Sequence, residues 1–577
     1  MNSIWLAIAS LGIFFLGFRF YSAFIAKRIF KLDPNYKTPA HTYEDGRDYV
    51  PTNKWIVLGH HFTSVAGAAP IVGPAIAIYW GWLPAILWVA LGTVFAAGVH
   101  DFGTIVLSLR NKGHSIGTLA DRLIGKRAKI LFLFIILILV LMINAVFAWV
   151  ISNLFISFPA SVLSIFIQIP LAIWIGYYTY KRQGNIIIPS ILVLIVMYGT
   201  AVLASYVPAL QIDLVNMFGG EDHTVMMGLN GVSMAFLVWI IILMVYVYIA
   251  SVLPVWKLLQ PRDFINAQQL ILGLIILYLG LFVMAPMVTA PMTNVEATDV
   301  SWFPLLFITI ACGAVSGFHG LVGSGTTSKQ IDKEPDARFV GYLGAIGEGA
   351  LAIITILAIG TYFSGGDGFA ATYSSFSAAG SSGLNTFIQG AGQLATGVGI
   401  PAHVARTIIA VIVVSFAATT LDSSVRLMRY IIAELGVTYK IKPLTRVHVA
   451  TSIAVILSAL LVLGPKGPKG LGSGGYLLWP LFGTANQLLA GISFMLITIW
   501  LKRKGRPIIY TVLPMVFLLV MTLWGMAEQV IFQWSGYGGG EANLLLFSFG
   551  AIILGFACWI LVESASIILK TKPEVEG

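Results

Sequence analysis

Apolar runs long enough to cross a bilayer recur from one end of this 577-residue chain to the other, and nothing else limits its fold so severely. At about 1.5 Å per residue, some 18 to 20 apolar residues in a helix cross a hydrocarbon core of roughly 30 Å. Fifteen such spans are expected, near 4–26, 55–80, 84–110, 128–151, 156–180, 184–206, 228–255, 266–290, 302–325, 338–362, 402–434, 445–463, 475–500, 507–530 and 543–568. The residues are 58% hydrophobic and only 10% charged, against about 25% charged in soluble domains. The chain therefore reads as an all-α polytopic membrane protein, one transmembrane domain over 1–577 with little soluble mass.

The formal charge of +10 does not point to nucleic acid, because Lys and Arg sit in short loops between apolar runs and no basic domain exists. Their positions instead set sidedness. AKRIFKLDPNYK, YKRQGN, SKQIDKEPDAR and KRKGR fall on one side, while QIDLVNMFGGEDH, TNVEATD and QWSGYGGGEAN carry no Lys or Arg and fall on the other; PKGPKG at 465–470 is the exception. This places the N-terminus outside and the C-terminus in the cytoplasm. The run from Ile4 to Ala26 has no basic residue before it and reads as a retained helix rather than a cleaved signal. Cys312 and Cys558 lie in apolar runs and read as small core residues, not as a disulfide or zinc site. The external segment from Ser364 to Gly399 is too polar to span and reads as a short amphipathic helix or lid, or as a linker.

Two spans share an unusual texture. GHHFTSVAGAAPIVGP (59–74) and GAVSGFHGLVGSGTTSK (313–329) each set histidine beside glycine, hydroxyl residues and, in the first, proline. Gly and Pro interrupt the helical ladder, and the freed N–H and C=O groups must then be satisfied by protein or ligand. Regular helical bonding is expected to fail near Ala66–Ala69 and Gly317–Gly323. By sidedness the two spans run in opposite directions and five spans begin at each, with two between. An odd repeat with an even insert must be inverted, so 55–206 and 302–500 are expected as a five-plus-five inverted repeat with two broken helices, and 4–26, 228–290 and 507–568 as accessory helices. Paired broken helices point to a transporter's substrate site; small residues that only allow close helix packing are the alternative. The candidate substrate-binding residues are His60, His61, Ser64, Gly67, Ser316, His319, Gly323 and Ser324, with half-helix N-termini around Gly67–Gly73 and Gly317–Gly325 receiving an anionic group.

The stretches GHHFTSVAGAAPIVGPAIA, HDFGTIVLSLRNKGHSIG, SGFHGLVGSGTTSKQI, GYLGAIGEGALA, TTLDSSVRLMRY and WPLFGTANQLLAG resemble the carbon starvation protein A family over nearly the whole chain. The resemblance implies uptake of peptides, and of pyruvate in some members, across the bacterial inner membrane during carbon limitation. It also implies the five-plus-five core of the amino acid–polyamine–organocation superfamily. A weaker likeness links ATTLDSS (418–424) to the betaine/choline/carnitine transporters, where an adjacent hydroxyl pair helps bind sodium; Thr419 and Thr420 match it, although the second Ser of that motif is Thr here.

Ionisable groups inside spans are costly unless paired or hydrated, and so are functional candidates. Glu348 reads as a proton carrier or as a structural carboxylate bonded to a hydroxyl. His60 and His61 point about 100° apart on a helix, which suits a substrate carboxylate or a proton relay better than one metal; satisfied core histidines are the alternative. His100 and Asp101 form a candidate gate pair or mark the cytoplasmic interface. Asp422 and Arg426 have the spacing of an i, i+4 pair. Glu528 and Glu563 lie outside the repeats and carry no assigned role.

The expected function is a secondary active, ion-coupled importer of a small carboxylate-bearing nutrient. It has no cofactor; H+ through Glu348 or Na+ at Thr419 and Thr420 is the coupling ion. A channel or facilitator for small anions is the alternative. No clustered ligand set or catalytic motif supports an enzyme. The partners are a small-molecule substrate and the lipid bilayer; oligomeric state is not legible.

Overall fold

The computed structural model is described here for all residues except 47, 222, 227, 295–298, 364–365, 466–469, 537–541 and 572–577. It is almost wholly helical. In chain order the long elements are α1 (Ser3–Ile29), α2 (Lys54–Ala66), α3 (Ala69–Trp80), α4 (Trp82–Leu109), α5 (Lys126–Ser157), α6 (Pro159–Lys181), α7 (Ile187–Tyr206), α8 (Gly231–Val252) and α9 (Leu259–Met284). They continue as α10 (Trp302–Thr309), α11 (Gly317–Gly325), α12 (Asp336–Gly360), α13 (Phe376–Thr396), α14 (Ala402–Thr438), α15 (Val447–Leu463), α16 (Ser473–Arg503), α17 (Ile509–Trp534) and α18 (Leu544–Lys570). A two-stranded hairpin, β1 (Thr224–Met226) with β2 (Leu229–Asn230), joins α7 to α8.

Among the described residues twelve helices are long and apolar enough to cross a membrane, and α2 with α3, bent by 43°, makes a thirteenth. Each of the fifteen expected spans holds helix. The two that fall outside that count are α15, which has 17 residues, and the interrupted pair α10 and α11. Polar residues at the membrane boundaries start several helices by accepting backbone N–H groups that have no partner in the first turn. Asn53 opens α2, Asn230 opens α8, Ser375 opens α13 and Asn543 opens α18.

Burial sorts the helices into a centre and a rim. The most apolar stretch of α16 is 100% buried and that of α14 89%, whereas those of α1 and α18 are 28% buried. Rim helices turn large apolar side chains outward, such as Trp5, Phe15, Val562 and Leu569, as a lipid-facing surface requires.

Three expectations need correction. The span expected at 266–290 begins at Leu259, so Arg262 and Asp263, read as loop, lie inside α9 and are buried. Cys312 is buried as expected, but Cys558 is exposed on α18. The segment 364–399, apart from 364–365, which lie outside the described residues, is not a linker. It forms a short helix at Gly366–Thr372 and then α13, whose face of Ala379, Gly383, Phe387, Gly390 and Leu394 is buried.

Candidate functional site

The first break lies between α2 and α3, inside the expected window. Gly67 has φ +48° and ψ −155°, a combination that a Cβ forbids. A Cβ there would also lie 2.5 Å from Thr420 Oγ1 and 2.8 Å from the Phe147 ring. Thr420 Oγ1 is buried without a hydrogen-bond partner, as is the Ser64 hydroxyl. Among the described residues no backbone hydrogen bond reaches the carbonyls of Val65, Ala66 or Gly67. The first break thus brings free oxygens from α2 and α14 together.

The second break is elsewhere than expected. Gly317–Gly325 is helical, and the interruption precedes it at 310–316. The glycines of α11 serve packing: a Cβ on Gly317 would lie 2.5 Å from the Asn486 carbonyl, and one on Gly323 3.2 Å from Ile105 and Thr104. Side chains occupy some of the freed backbone groups. Trp88 Nε1 donates to the Phe307 carbonyl (3.2 Å), Gln487 to the same carbonyl (2.9 Å) and Thr93 to the Gly313 carbonyl (2.9 Å). Asn486 Oδ1 accepts the Phe318 N–H (2.9 Å), so this helix N-terminus, expected to be open to an anion, is already bonded. Ser316 binds Asn486, and Ser324 accepts the Ile116 N–H while donating to the Gly320 carbonyl, so neither hydroxyl is free. The half-helix after the first break packs on the second: a Cβ on Gly73 would lie 2.5 Å from the Thr309 carbonyl oxygen, and one on Gly313 3.6 Å from Pro70 Cα.

Beside them runs a buried row of charged groups from three helices. Asp101 on α4 accepts Nδ1–H of His100 (2.9 Å) on one oxygen and Nδ1–H of His319 on α11 (2.8 Å) on the other. His319 Nε2 lies 3.0 Å from Glu348 Oε2 on α12, within ion-pair range but off the hydrogen-bond line. All four side chains are at most 1% exposed. Glu348 is thus beside a histidine, not bonded to a hydroxyl. His61 joins the row from α2: its Nδ1 meets Thr327 Oγ1 (2.9 Å), and its ring lies over Gly344, one turn before Glu348, where a Cβ would come within 3.0 Å. Nε2 of His61, Nε2 of His100 and Oε1 of Glu348 have no partner. Among the described residues no group of His, Cys, Asp and Glu is arranged to hold a metal.

His60 turns away to α9, where Nδ1 meets Asp263 Oδ2 (2.8 Å). The expected Asp422–Arg426 pair does not form. Asp422 pairs with Arg262 of α9 and accepts from Tyr246 of α8 (2.8 Å), while Arg426 donates to the carbonyls of Ala250 and Leu253 (both 2.7 Å). The end of α8 offers Arg426 unbonded carbonyls, and α9 presents Arg262 to Asp422. Removing one partner of such a buried pair costs about 3–5 kcal/mol. Thr419 is also engaged: Asn266 Nδ2 donates to it (2.6 Å) and it donates to the Ser415 carbonyl (3.0 Å).

At the Lys/Arg-rich end, residues 31–46 and 48–53 form a strap whose ends are bonded to the segment after α11. Val50 and Thr52 donate to the carbonyls of Lys329 and Gln330 (3.2 and 3.1 Å), and Glu334 takes both Nε and Nη2 of Arg110 (2.6 and 3.0 Å) plus the Asp33 N–H (2.6 Å). In this strap, burial and then Glu334 raise the pKa of Tyr36 above that of an ordinary phenol.

Sequence reasoning missed Arg262, Asp263, Asn266, Asn486, Gln487 and Trp88. Asn486 and Gln487 were findable, being uncharged polar residues in an apolar run; Arg262 and Asp263 were hidden by a span start set seven residues late.

The family model described as carbon starvation protein CstA matches residues 2–369 and 366–525. A protein of Campylobacter jejuni named peptide transporter CstA is 34% identical, the match covering 92% of this chain and 81% of that protein. One of Escherichia coli K12 named pyruvate/proton symporter BtsT is 32% identical, covering 92% and 82%. The crystal structure of MhsT in complex with L-phenylalanine aligns over 89% of this chain and 99% of that one, with a TM-score of 0.46 and 14% identity, too distant to carry fold or function across.

Proposed function

Because the chain belongs to the carbon starvation protein CstA family, whose relatives are named as transporters, we propose that it imports small carboxylate-bearing nutrients, peptides or pyruvate, across the bacterial inner membrane, driven by protons. The observation that carries this reading is His319 set between two carboxylates from different helices, Asp101 and Glu348, with no exposed atom to speak of. With both carboxylates ionised and His319 doubly protonated, the group holds one net negative charge. One more proton, on Glu348, neutralises it and removes the attraction between α11 and α12. Protonation is thereby coupled to the freedom of a broken span, which an ion-driven carrier needs. The free Nε2 of His61 and the hydroxyl of Ser64, beside the first break, are donors suited to a substrate carboxylate. Inverted repeats at 55–206 and 302–500 would rock around this site, with 4–26, 228–290 and 507–568 as accessory helices.

The test is flux into vesicles of labelled pyruvate and of a labelled dipeptide under an imposed proton or sodium gradient. Saturable, proton-driven accumulation is expected. Glu348→Gln should abolish uphill uptake and spare exchange of labelled for unlabelled substrate, because exchange needs no net proton movement. Unchanged proton dependence in that variant would refute the assignment; unsaturable downhill flux would mark a channel, and no flux would leave transport itself refuted. One observation favours a second reading, sodium coupling: Thr420 Oγ1 and the unbonded carbonyls at Gly67 are oxygen ligands of the kind a hard cation takes.

A further inference from the structure

At the end of the bundle opposite the Lys/Arg-rich loops lies a cavity of about 370 Å³ that the coupling row does not reach, within the size range of small-molecule sites. Its walls are aromatic: Trp149 of α5, Tyr476 and Trp479 of α16, Trp534 of α17 and Phe376 of α13. Two features make it more than an apolar dent. Trp149 and Trp479 are 6% and 5% exposed, and the indole N–H of each has no partner, whereas a buried Trp N–H ordinarily finds one. Among the described residues the lining also holds one charged side chain, Asp299. Its Oδ1 accepts the Tyr79 hydroxyl (2.5 Å) and the Phe376 N–H (3.2 Å), which fixes the carboxylate. Among the described residues no hydrogen bond is formed by Oδ2.

We propose that this cavity is a binding site for a zwitterion, an amino acid or short peptide, whose ammonium pairs with Asp299 and whose carboxylate or amide oxygens accept the indole N–H groups of Trp149 and Trp479. The aromatic walls receive the apolar side chain and face the ammonium with their π surfaces. Among the described residues the lining holds a fixed carboxylate and no Lys or Arg, a setting that repels a simple monocarboxylate such as pyruvate and attracts an ammonium. The site therefore selects, among carboxylate-bearing nutrients, those that also carry a positive charge. It stands on the molecule's opposite end from the strap of residues 31–46 and 48–53, where an incoming nutrient would first be held. This rests on the reading of the chain as an importer, but binding and uptake are separate measurements.

The experiment is calorimetric titration of the full chain in lipid nanodiscs with leucine, glycyl-leucine, N-acetylglycyl-leucine and pyruvate. Glycyl-leucine or leucine should bind, and the stronger of the two shows whether the cavity is shaped for a peptide or an amino acid. Removing the ammonium by acetylation, or Asp299→Asn, should weaken binding about 10- to 100-fold, the scale of a hydrogen bond to a charged group. Asn keeps an oxygen for Tyr79 and Phe376, so the variant preserves the local fold. Pyruvate should not compete. Equal affinity for the acetylated and free peptides in the unaltered protein overturns the proposal without any variant, as does wild-type affinity in Asp299→Asn. Vesicle uptake distinguishes the two readings: binding with these preferences but no uptake refutes transport alone, and uptake with no such preference refutes this site alone.

Discussion

The two breaks begin as similar sequences and end as different structures. At 310–316 the interruption is long, and Trp88, Thr93, Asn486 and Gln487 occupy its backbone groups. At Gly67 the interruption is a single turn of the backbone, and the nearest polar atom, Thr420 Oγ1, has no partner. A freed backbone group in a membrane must be satisfied somewhere. The second break is met in part by side chains, at Phe307, Ile310, Gly313 and Phe318, while among the described residues no hydrogen bond reaches the carbonyls of Cys312, Ala314, Val315 or Ser316. The first has no side-chain partner at the Gly67 carbonyl, and the buried Thr420 Oγ1 and Ser64 Oγ beside it are equally without one. Texture alone, glycines beside a histidine, did not distinguish them; the neighbours did.

The largest test of this contrast is Gly67→Ala. Backbone strain of about 1–3 kcal/mol adds to the close approach of Thr420 and Phe147, so initial uptake should fall roughly 100-fold while membrane insertion persists. Gly323→Ala, whose tightest contacts are 3.2 Å, should retain most uptake. Comparable losses in both would erase the distinction between the breaks.

Next in size is Asn486→Ala, which leaves the Phe318 N–H and the Ser316 hydroxyl buried without their partner. It should cost about 1–3 kcal/mol of stability, read as a lower unfolding midpoint in detergent. If it changed ion dependence without changing the midpoint, the second break would be functional after all.

The smallest effect separates two adjacent hydroxyls. Thr419→Ala strips an acceptor from Asn266 and should lower stability by about 1 kcal/mol, with ion dependence unchanged. Thr420→Ala removes a group with no protein partner, so stability should hold; under sodium coupling the concentration for half-maximal flux should rise. Identical behaviour of the pair would show that partner bonding does not sort them.

Much of the site was legible residue by residue. His61, His319, Glu348, His100 and Asp101 were each conspicuous as titratable groups in apolar runs, and the structure brings all five together. Their grouping was not legible, because α4, α11 and α12 are more than two hundred residues apart at their extremes and spacing within one helix says nothing of contacts between helices. The Asp422–Arg426 expectation failed for that reason. An i, i+4 spacing permits a pair, but Arg262 from another helix reached Asp422 and backbone carbonyls reached Arg426.

The sequence by itself determined that the chain is an all-helical protein of many apolar spans and that one span breaks within Ala66–Ala69. Each of these follows from a short-range rule: apolar length against bilayer thickness, and the conformational freedom of glycine. Only the tertiary structure decided which break side chains reach, which carboxylate faces which histidine and that Trp149 and Trp479 share a cavity with Asp299. Those outcomes depend on which helices pack together, and the lateral order of helices in a membrane is set by side-chain shape and polar pairing, since the hydrophobic term that inserts every span is nearly the same for each possible neighbour.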